Sequence, residues 1–188
     1  GQRLAWELRG CDAFFVSSPM RRCMLTVLPA IRALDLPRED CICHGAAYEY
    51  GCAGKANPGT MPEEVEKTLP FRCAGFGPNG WDYQGNSEKE TEAEARLRVE
   101  RLVLWMAAEA VPVLQQRDGA RSPTMVVCMH QTVLDLLLQI LVDGTGECWK
   151  YGEIRYKHHN AGITELSVGP QGAITIVRQN DAKHLRRI

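Results

Sequence analysis

The sequence predicts a three-layer α/β sandwich with a mostly parallel central sheet. Two strand-to-helix junctions indicate this fold. The apolar run 125–128 passes through His130 into a helical pattern over 132–142, and the apolar run 13–16 passes through Ser18 into a second one. A glycine-rich turn at 169–172 separates two further strand patterns and predicts a closing hairpin.

The junction at His130 predicts an anion site. Its helix carries apolar residues at helical spacing, namely Val133, Leu134, Leu137, Leu138 and Leu141. Ligands of open α/β sheets bind at the carboxyl ends of the strands, where the free N–H groups of a helix favour an anion. His130 is therefore a candidate binding residue, although an ordinary packed histidine is the alternative.

The junction at Ser18 predicts a second part of the same site. Ser18 is a suitable N-cap and Pro19 a suitable first helical residue, so Arg22 falls in the opening turn. A guanidinium group beside free backbone N–H groups can bind a phosphate through two hydrogen bonds. A solvated arginine is the alternative. We expect Arg22 and His130 to face one anion-sized space at the carboxyl edge of the sheet.

The remaining segments are less regular. Residues 2–8 fit a helix that Gly10 ends, and residues 90–116 fit a long helix whose glutamate and arginine face is solvated. Residues 41–69 are rich in glycine and proline, with a short helix signal at 63–66, and residues 71–89 continue as loop. Long irregular segments often form lids or binding loops.

Four segments together resemble the histidine phosphatase superfamily, the phosphoglycerate mutase-like group. Residues 17–26, SSPMRRCMLT, resemble its serine-serine-proline-leucine-x-arginine-alanine-x-x-threonine segment, and residues 126–130 resemble its second histidine motif. Residues 160–166 and 179–185 resemble its late strand and one form of its ending. The resemblance implies a phosphoglycerate mutase-like fold and phosphoryl transfer, or phosphomonoester hydrolysis, through a phosphohistidine. It also implies that Arg22 and Ser18 bind the phosphoryl group and that His130 is catalytic, donating hydrogen bonds to the phosphoryl oxygens.

The general acid of the family has two candidate positions here. If residues 43–48 match a glutamate-x-glycine-glycine-x-tyrosine pattern, the acid has become Cys43. If residues 49–51 are the match, Glu49 is available as the catalytic acid. A simply exposed Glu49 is an equal alternative, because loop carboxylates usually are exposed.

The largest departure from the family is its arginine-histidine-glycine strand, which carries the nucleophile. These 188 residues contain no such tripeptide, and Gln131 stands where the family usually has glycine. We therefore expect no turnover by this chain alone, and unpaired backbone near the middle of the sheet where that strand belongs. Either an upstream segment supplies the nucleophile, or the protein is an inactive pseudophosphatase that serves as a structural or interaction subunit of a larger assembly.

Composition and length limit the classes of partner and the domain organisation that are expected. The chain has 22 basic and 23 acidic residues, so nothing favours a nucleic-acid partner. No apolar run approaches the roughly 18 residues of a membrane span, and a soluble, single domain over 1–188 is the simplest organisation.

The eight cysteines are scattered without a C-x-x-C pair, which favours reduced thiols in an intracellular protein, cytoplasmic or organellar. Cys23 and Cys128 are interpreted as small buried hydrophobes inside a helix and a strand. No metal or organic cofactor is expected. The expected partner is a phosphorylated small molecule or phosphoprotein, or other protein partners if the chain is a pseudoenzyme.

Overall fold

A computed structural model describes residues 1–116, 122–144 and 146–187. Four strands form the main sheet, in the spatial order β3, β2, β1, β4, and every neighbouring pair is parallel. They are β1 (Asp12–Ser17), β2 (Cys41–His44), β3 (Arg72–Ala74) and β4 (Pro123–Cys128). The predicted parallel sheet is confirmed.

Helices cover both faces of this sheet. They are α1 (Gln2–Glu7), α2 (Arg21–Ala33), α3 (Pro62–Thr68), α4 (Glu92–Trp105), α5 (Val111–Gln115) and α6 (Gln131–Asp143), with a π-helical segment, Met106–Ala110, joining α4 to α5. Along β1, Phe15 packs against α1 and α2, whereas Phe14 and Val16 pack against the π-helical segment and α5. Alternate residues of one strand thus face different helical layers, which confirms the three-layer sandwich.

Two strands lie in segments that we expected to be irregular. Cys41–His44 forms β2, in which all four residues are buried, and Arg72–Ala74 forms β3 inside the predicted loop 71–89. That prediction was wrong because strands of four and three residues are too short to show a period of their own. Their backbones are held in register by β1 and by each other.

The predicted closing hairpin is confirmed and forms a separate sheet. Strands β5 (Ile163–Val168) and β6 (Ile174–Asp181) pair antiparallel with each other. An ion pair between Arg178 of β6 and Glu7 of α1 connects this hairpin to the main body. In the described ranges β4 pairs with β1 alone, so its other edge carries no strand.

A buried ion pair joins α4 to the segment that follows β2. The Arg98 guanidinium donates to both carboxylate oxygens of Glu90, with N–O distances of 2.6 and 2.8 Å. It also donates to the carbonyls of Ala46 and Tyr48, and the Tyr48 hydroxyl donates to Glu90. Both charged side chains are 1% exposed, so the expectation of a solvated glutamate and arginine face was wrong here.

We expect Arg98→Ala to lower the free energy of unfolding by about 3–5 kcal/mol, because it leaves the Glu90 carboxylate buried without its partner. Urea denaturation measures this change. The control is Arg96→Ala on the same helix, whose ion pair with Glu100 is about one third exposed and should contribute less than about 1 kcal/mol. Equal losses in the two variants would contradict the role given to Arg98.

Candidate functional site

The carboxyl ends of β1 and β4 lie side by side. Ser17 and Cys128 are paired in register, and the Ser18 N–H donates to the Cys128 carbonyl over 2.8 Å. The chain leaves both strands at the same level, so Ser18 and His130 emerge next to each other. His130 is the N-cap residue of α6 and forms no side-chain cap bond, which leaves its ring facing β1.

The structure brings Ser18, Arg22 and His130 together. Ser18 Oγ lies 2.7 Å from His130 Nε2, and both residues are buried. Arg22 Nε and Nη2 lie 3.3 and 3.0 Å from His130 Nδ1. A guanidinium can only donate, so Nδ1 is the acceptor and Nε2–H donates to Ser18 Oγ. Arg22 and His130 touch directly, and no anion-sized space separates them as it stands.

Ser18 is not the N-cap that the sequence suggested. Helix α2 begins at Arg21, and Met20 is its N-cap residue. Ser18 Oγ instead accepts from the Met20 N–H over 3.2 Å and so holds the turn before the helix. The later start places Arg22 and Cys23 in the first turn of α2.

The two candidate acid positions differ in their surroundings. Glu49 is partly buried, with Oε1 accepting from the Tyr50 N–H over 2.9 Å and Oε2 lying 3.5 Å from the Thr132 nitrogen. Because Thr132 is two residues beyond His130, this carboxylate reaches the opening turn of α6. Cys43 is fully buried in the core between the sheet and α2.

Cys23 is a site residue that the sequence analysis missed. Its sulfur lies 3.6 Å from His130 Nε2 and 3.8 Å from Nδ1. A hydrogen bond with the Cys128 thiol is the main cause that lowers the pKa of Cys23 to about 5, against the opposing effect of burial, and His130 and Arg22 add to it. The available signal was its position next to Arg22. Because the helix was predicted to begin two residues too early, Cys23 was assigned to the helix interior instead of the first turn.

A buried carboxylate on α6 fixes the segment that runs beside the site. Asp135 is 1% exposed and accepts from the backbone N–H groups of Arg155 and Tyr156 and from the Trp149 indole. The Gln131 side chain donates to the Tyr156 carbonyl over 3.1 Å. Gln131 therefore ties this segment to the start of α6.

Two classes of feature are absent from the parts of the chain that the structure describes. No group of three or more histidine, cysteine, aspartate or glutamate side chains is arranged to hold a metal ion. No helix within these parts is long and apolar enough to cross a lipid bilayer.

Fold and site together define an α/β protein in which an arginine, a histidine and a serine cluster at the carboxyl edge of a parallel sheet. Residues 1–182 match the profile of the histidine phosphatase superfamily (branch 1). The chain belongs to this family, and the resemblance seen in the sequence is confirmed. A search of curated proteins found no match.

Solved structures of phosphatases share the fold. The ecdysone phosphate phosphatase from Bombix mori, in complex with tungstate, is similar with a TM-score of 0.60 and 14% identity, over 95% of this chain and 68% of that one. A protein from Escherichia coli K-12 that is assigned as an α-ribazole-5′-phosphate phosphatase is similar with a TM-score of 0.50 and 14% identity, over 95% of this chain and 78% of that one. At this identity the similarity establishes the fold alone.

The environment of Cys23 gives a prediction about its pKa. Cys128→Ala removes the largest stabilising contact of the thiolate, so we expect the pKa of Cys23 to rise. Cys128→Ser keeps a donor at the same place and should largely preserve the lowered pKa. Thiolate absorbance against pH measures this, as the difference between each protein and its Cys23→Ala counterpart. The same pKa in the alanine and wild-type proteins would contradict the assignment.

Proposed function

We propose that this histidine phosphatase superfamily domain acts in phosphoryl transfer or phosphomonoester hydrolysis through a phosphohistidine, and that the chain supplies the phosphoryl-binding part of the site. The observation that supports this most is the cluster of Ser18, Arg22 and His130 at the carboxyl ends of β1 and β4. The substrate class is a phosphorylated small molecule or a phosphoprotein.

In this proposal a phosphoryl group enters between Arg22 and the His130 ring. The two guanidinium nitrogens that now point at Nδ1 turn to two phosphoryl oxygens, a geometry that suits a planar fork. Once protonated, His130 donates from Nδ1 to a phosphoryl oxygen while Ser18 Oγ continues to hold Nε2–H. Donors that are already in place when charge develops are the main source of catalysis in phosphoryl transfer.

Glu49 is the proposed general acid, in preference to Cys43. Its carboxyl group reaches the start of α6, where a leaving group would lie beside the phosphoryl site. The thiol of Cys43 is fully buried, and the neighbouring Cys73 and burial both raise its pKa far above the usual range. A proton on that thiol is held too tightly to be delivered at neutral pH.

The nucleophile in this proposal is an imidazole other than His130. His130 donates from Nε2 to Ser18 and accepts at Nδ1 from Arg22, and the proposal gives it the role of stabilising the transferring group. Phosphohistidine chemistry also needs an imidazole in line with the phosphorus. Among the described residues, one edge of β4 is open, and its carboxyl end leads directly to His130. A strand added along that edge would deliver such an imidazole, and we infer that the nucleophile is carried there.

A second candidate function is that of a pseudophosphatase, which binds a phosphate or a protein partner without turnover. Two sequence features favour it. They are the cysteine at one of the two possible acid positions and Gln131 in place of the usual glycine. The side chain of Gln131 is committed to the Tyr156 carbonyl, which is a structural role.

We expect Arg22→Ala to weaken the binding of inorganic phosphate by about tenfold to a hundredfold, since charge-assisted hydrogen bonds contribute about 1.5–3 kcal/mol. Isothermal titration calorimetry measures the affinity. Arg21→Ala is the matched control, because it removes an arginine from the same helical turn, whereas Arg22 is the one that donates to His130. Unchanged affinity in the Arg22 variant would remove this residue from the site.

Residues 1–188 alone should show no turnover of a generic aryl phosphate, because Arg22 and His130 bind the phosphoryl group without supplying the in-line nucleophile. The assay is repeated with any natural upstream segment included, and again with His130→Ala. Turnover that requires the upstream segment would support the hydrolase. Inactivity of both forms would support the pseudophosphatase, and robust turnover by 1–188 that His130→Ala abolishes would make His130 the nucleophile and contradict the proposal.

A further inference from the structure

Two pairs of cysteines lie on the face of the sheet that α2 covers. The strand register places Cys73, Cys43, Ser17 and Cys128 in one row across the four strands. Cys43 and Cys73 form the first pair, on neighbouring strands. Cys128 forms the second pair with Cys23, which α2 lays over the end of β4.

The second pair is built into the candidate site. The Cys23 sulfur lies within 3.6–3.8 Å of both ring nitrogens of His130. The Cys128 thiol is in direct contact with Cys23, because it donates to the Cys23 carbonyl over 3.5 Å. Arg22, the residue before Cys23, adds positive charge on the same side.

We propose that Cys23 and Cys128 are a reversible oxidation site, in which a peroxide converts Cys23 to a sulfenic acid and Cys128 closes it to a disulfide. In the first step the Cys23 thiolate attacks one peroxide oxygen and the O–O bond breaks, which gives Cys–SOH and, after protonation, water. In the second step the Cys128 sulfur attacks the Cys23 sulfur, the S–O bond breaks, and a second water leaves. Two thiols lose two electrons in total, and a dithiol reductant restores them.

The surroundings make Cys23 the attacking sulfur. The thiolate is the reactive form, and the contacts with Cys128, His130 and Arg22 that hold its pKa near 5 keep it ionised at pH 6. A hydrogen bond with Cys23 and desolvation raise the pKa of Cys128, so Cys128 does not initiate the attack on peroxide. Its place beside Cys23 makes it the resolving thiol. A peroxide is little larger than water, and Cys23 is not wholly closed off from solvent, since 5% of the residue is exposed.

Oxidation and phosphate occupancy should oppose each other, and this coupling alone rests on the proposed function. A phosphate between Arg22 and His130 would engage the two groups that stabilise the thiolate and would place negative charge beside it. The Cys23 sulfur lies 3.6–3.8 Å from the ring nitrogens of His130, so a phosphate bound beside this ring would also obstruct the approach of the peroxide. We expect saturating phosphate to slow oxidation of Cys23 at least about fivefold.

The test treats reduced residues 1–188 with hydrogen peroxide at pH 6, then alkylates the remaining thiols and maps the peptides by mass spectrometry. A thiol at the usual pKa of about 8.5 is almost wholly protonated at this pH. Allowing for the weaker nucleophilicity of a low-pKa thiolate, Cys23 should react about fivefold faster than the exposed Cys148. The expected product is a Cys23–Cys128 linked peptide that dithiothreitol cleaves.

Variants separate the two steps. Cys128→Ser should halt the reaction at a Cys23 sulfenic acid that a 1,3-dione probe captures, and Cys23→Ser should abolish both products. The pair Cys43 and Cys73 is the internal control, because these residues are paired in register on neighbouring strands and Cys43 likewise lowers the pKa of Cys73. Linkage of that pair as fast as Cys23–Cys128, or no Cys23 oxidation at a peroxide dose that oxidises Cys148, would overturn the proposal.

Repeating the oxidation in saturating phosphate separates the oxidation site from the proposed phosphoryl-binding function. A Cys23–Cys128 link that forms, and that forms more slowly in phosphate, supports the oxidation site and the phosphate site. Linkage that forms at the same rate in saturating phosphate supports the oxidation site and counts against the phosphate site. If calorimetry shows phosphate binding while Cys23 stays reduced, the oxidation site alone is overturned.

Discussion

The buried pairing of Arg98 with Glu90 fixes the turn after β2, from which the Glu49 carboxylate reaches the start of α6. One guanidinium satisfies both oxygens of Glu90 and the carbonyls of Ala46 and Tyr48, and it also lies 3.7 Å over the Tyr48 ring. Helix α4 and the turn after β2 are thereby fixed to each other. This also fixes the backbone immediately before Glu49. A hydrophobic pair at these positions would pack, but it would leave two backbone carbonyls without donors.

The site itself is assembled from the ends of elements. Parallel pairing aligns the last residues of β1 and β4, and the chain then turns into α2 and α6 at the same level. Ser18, Arg22, Cys23 and His130 come from two segments more than a hundred residues apart, yet their relative positions follow from one strand register. The imidazole is oriented by Ser18 on one side and by Arg22 on the other, which leaves little rotational freedom to the ring.

The sequence was informative wherever an element carries its own pattern. The apolar runs that become β1 and β4, and the helices that follow them, could be predicted, and with them the meeting of Arg22 and His130. Strands β2 and β3 could not, since their few residues are ordered by neighbouring strands rather than by a periodicity. The burial of Arg98 could not be predicted, because an arginine on an amphipathic helix is normally solvated. It is buried here because Glu90 lies beside it in the folded chain. The contact between Cys23 and His130 depended on a helix start displaced by two residues.

The separate hairpin of β5 and β6 gives the molecule two levels of local stability. A two-stranded sheet is only marginally stable by itself, and Val168 and Val177 are 70% and 58% exposed. The charge pairing between Arg178 and Glu7 is one of the contacts that hold the hairpin to the main body, and salt screens it in part. We therefore expect amide hydrogens of β5 and β6 to exchange with solvent through local opening, at a rate that rises with ionic strength, and those of β1 to exchange only when the central sheet itself opens.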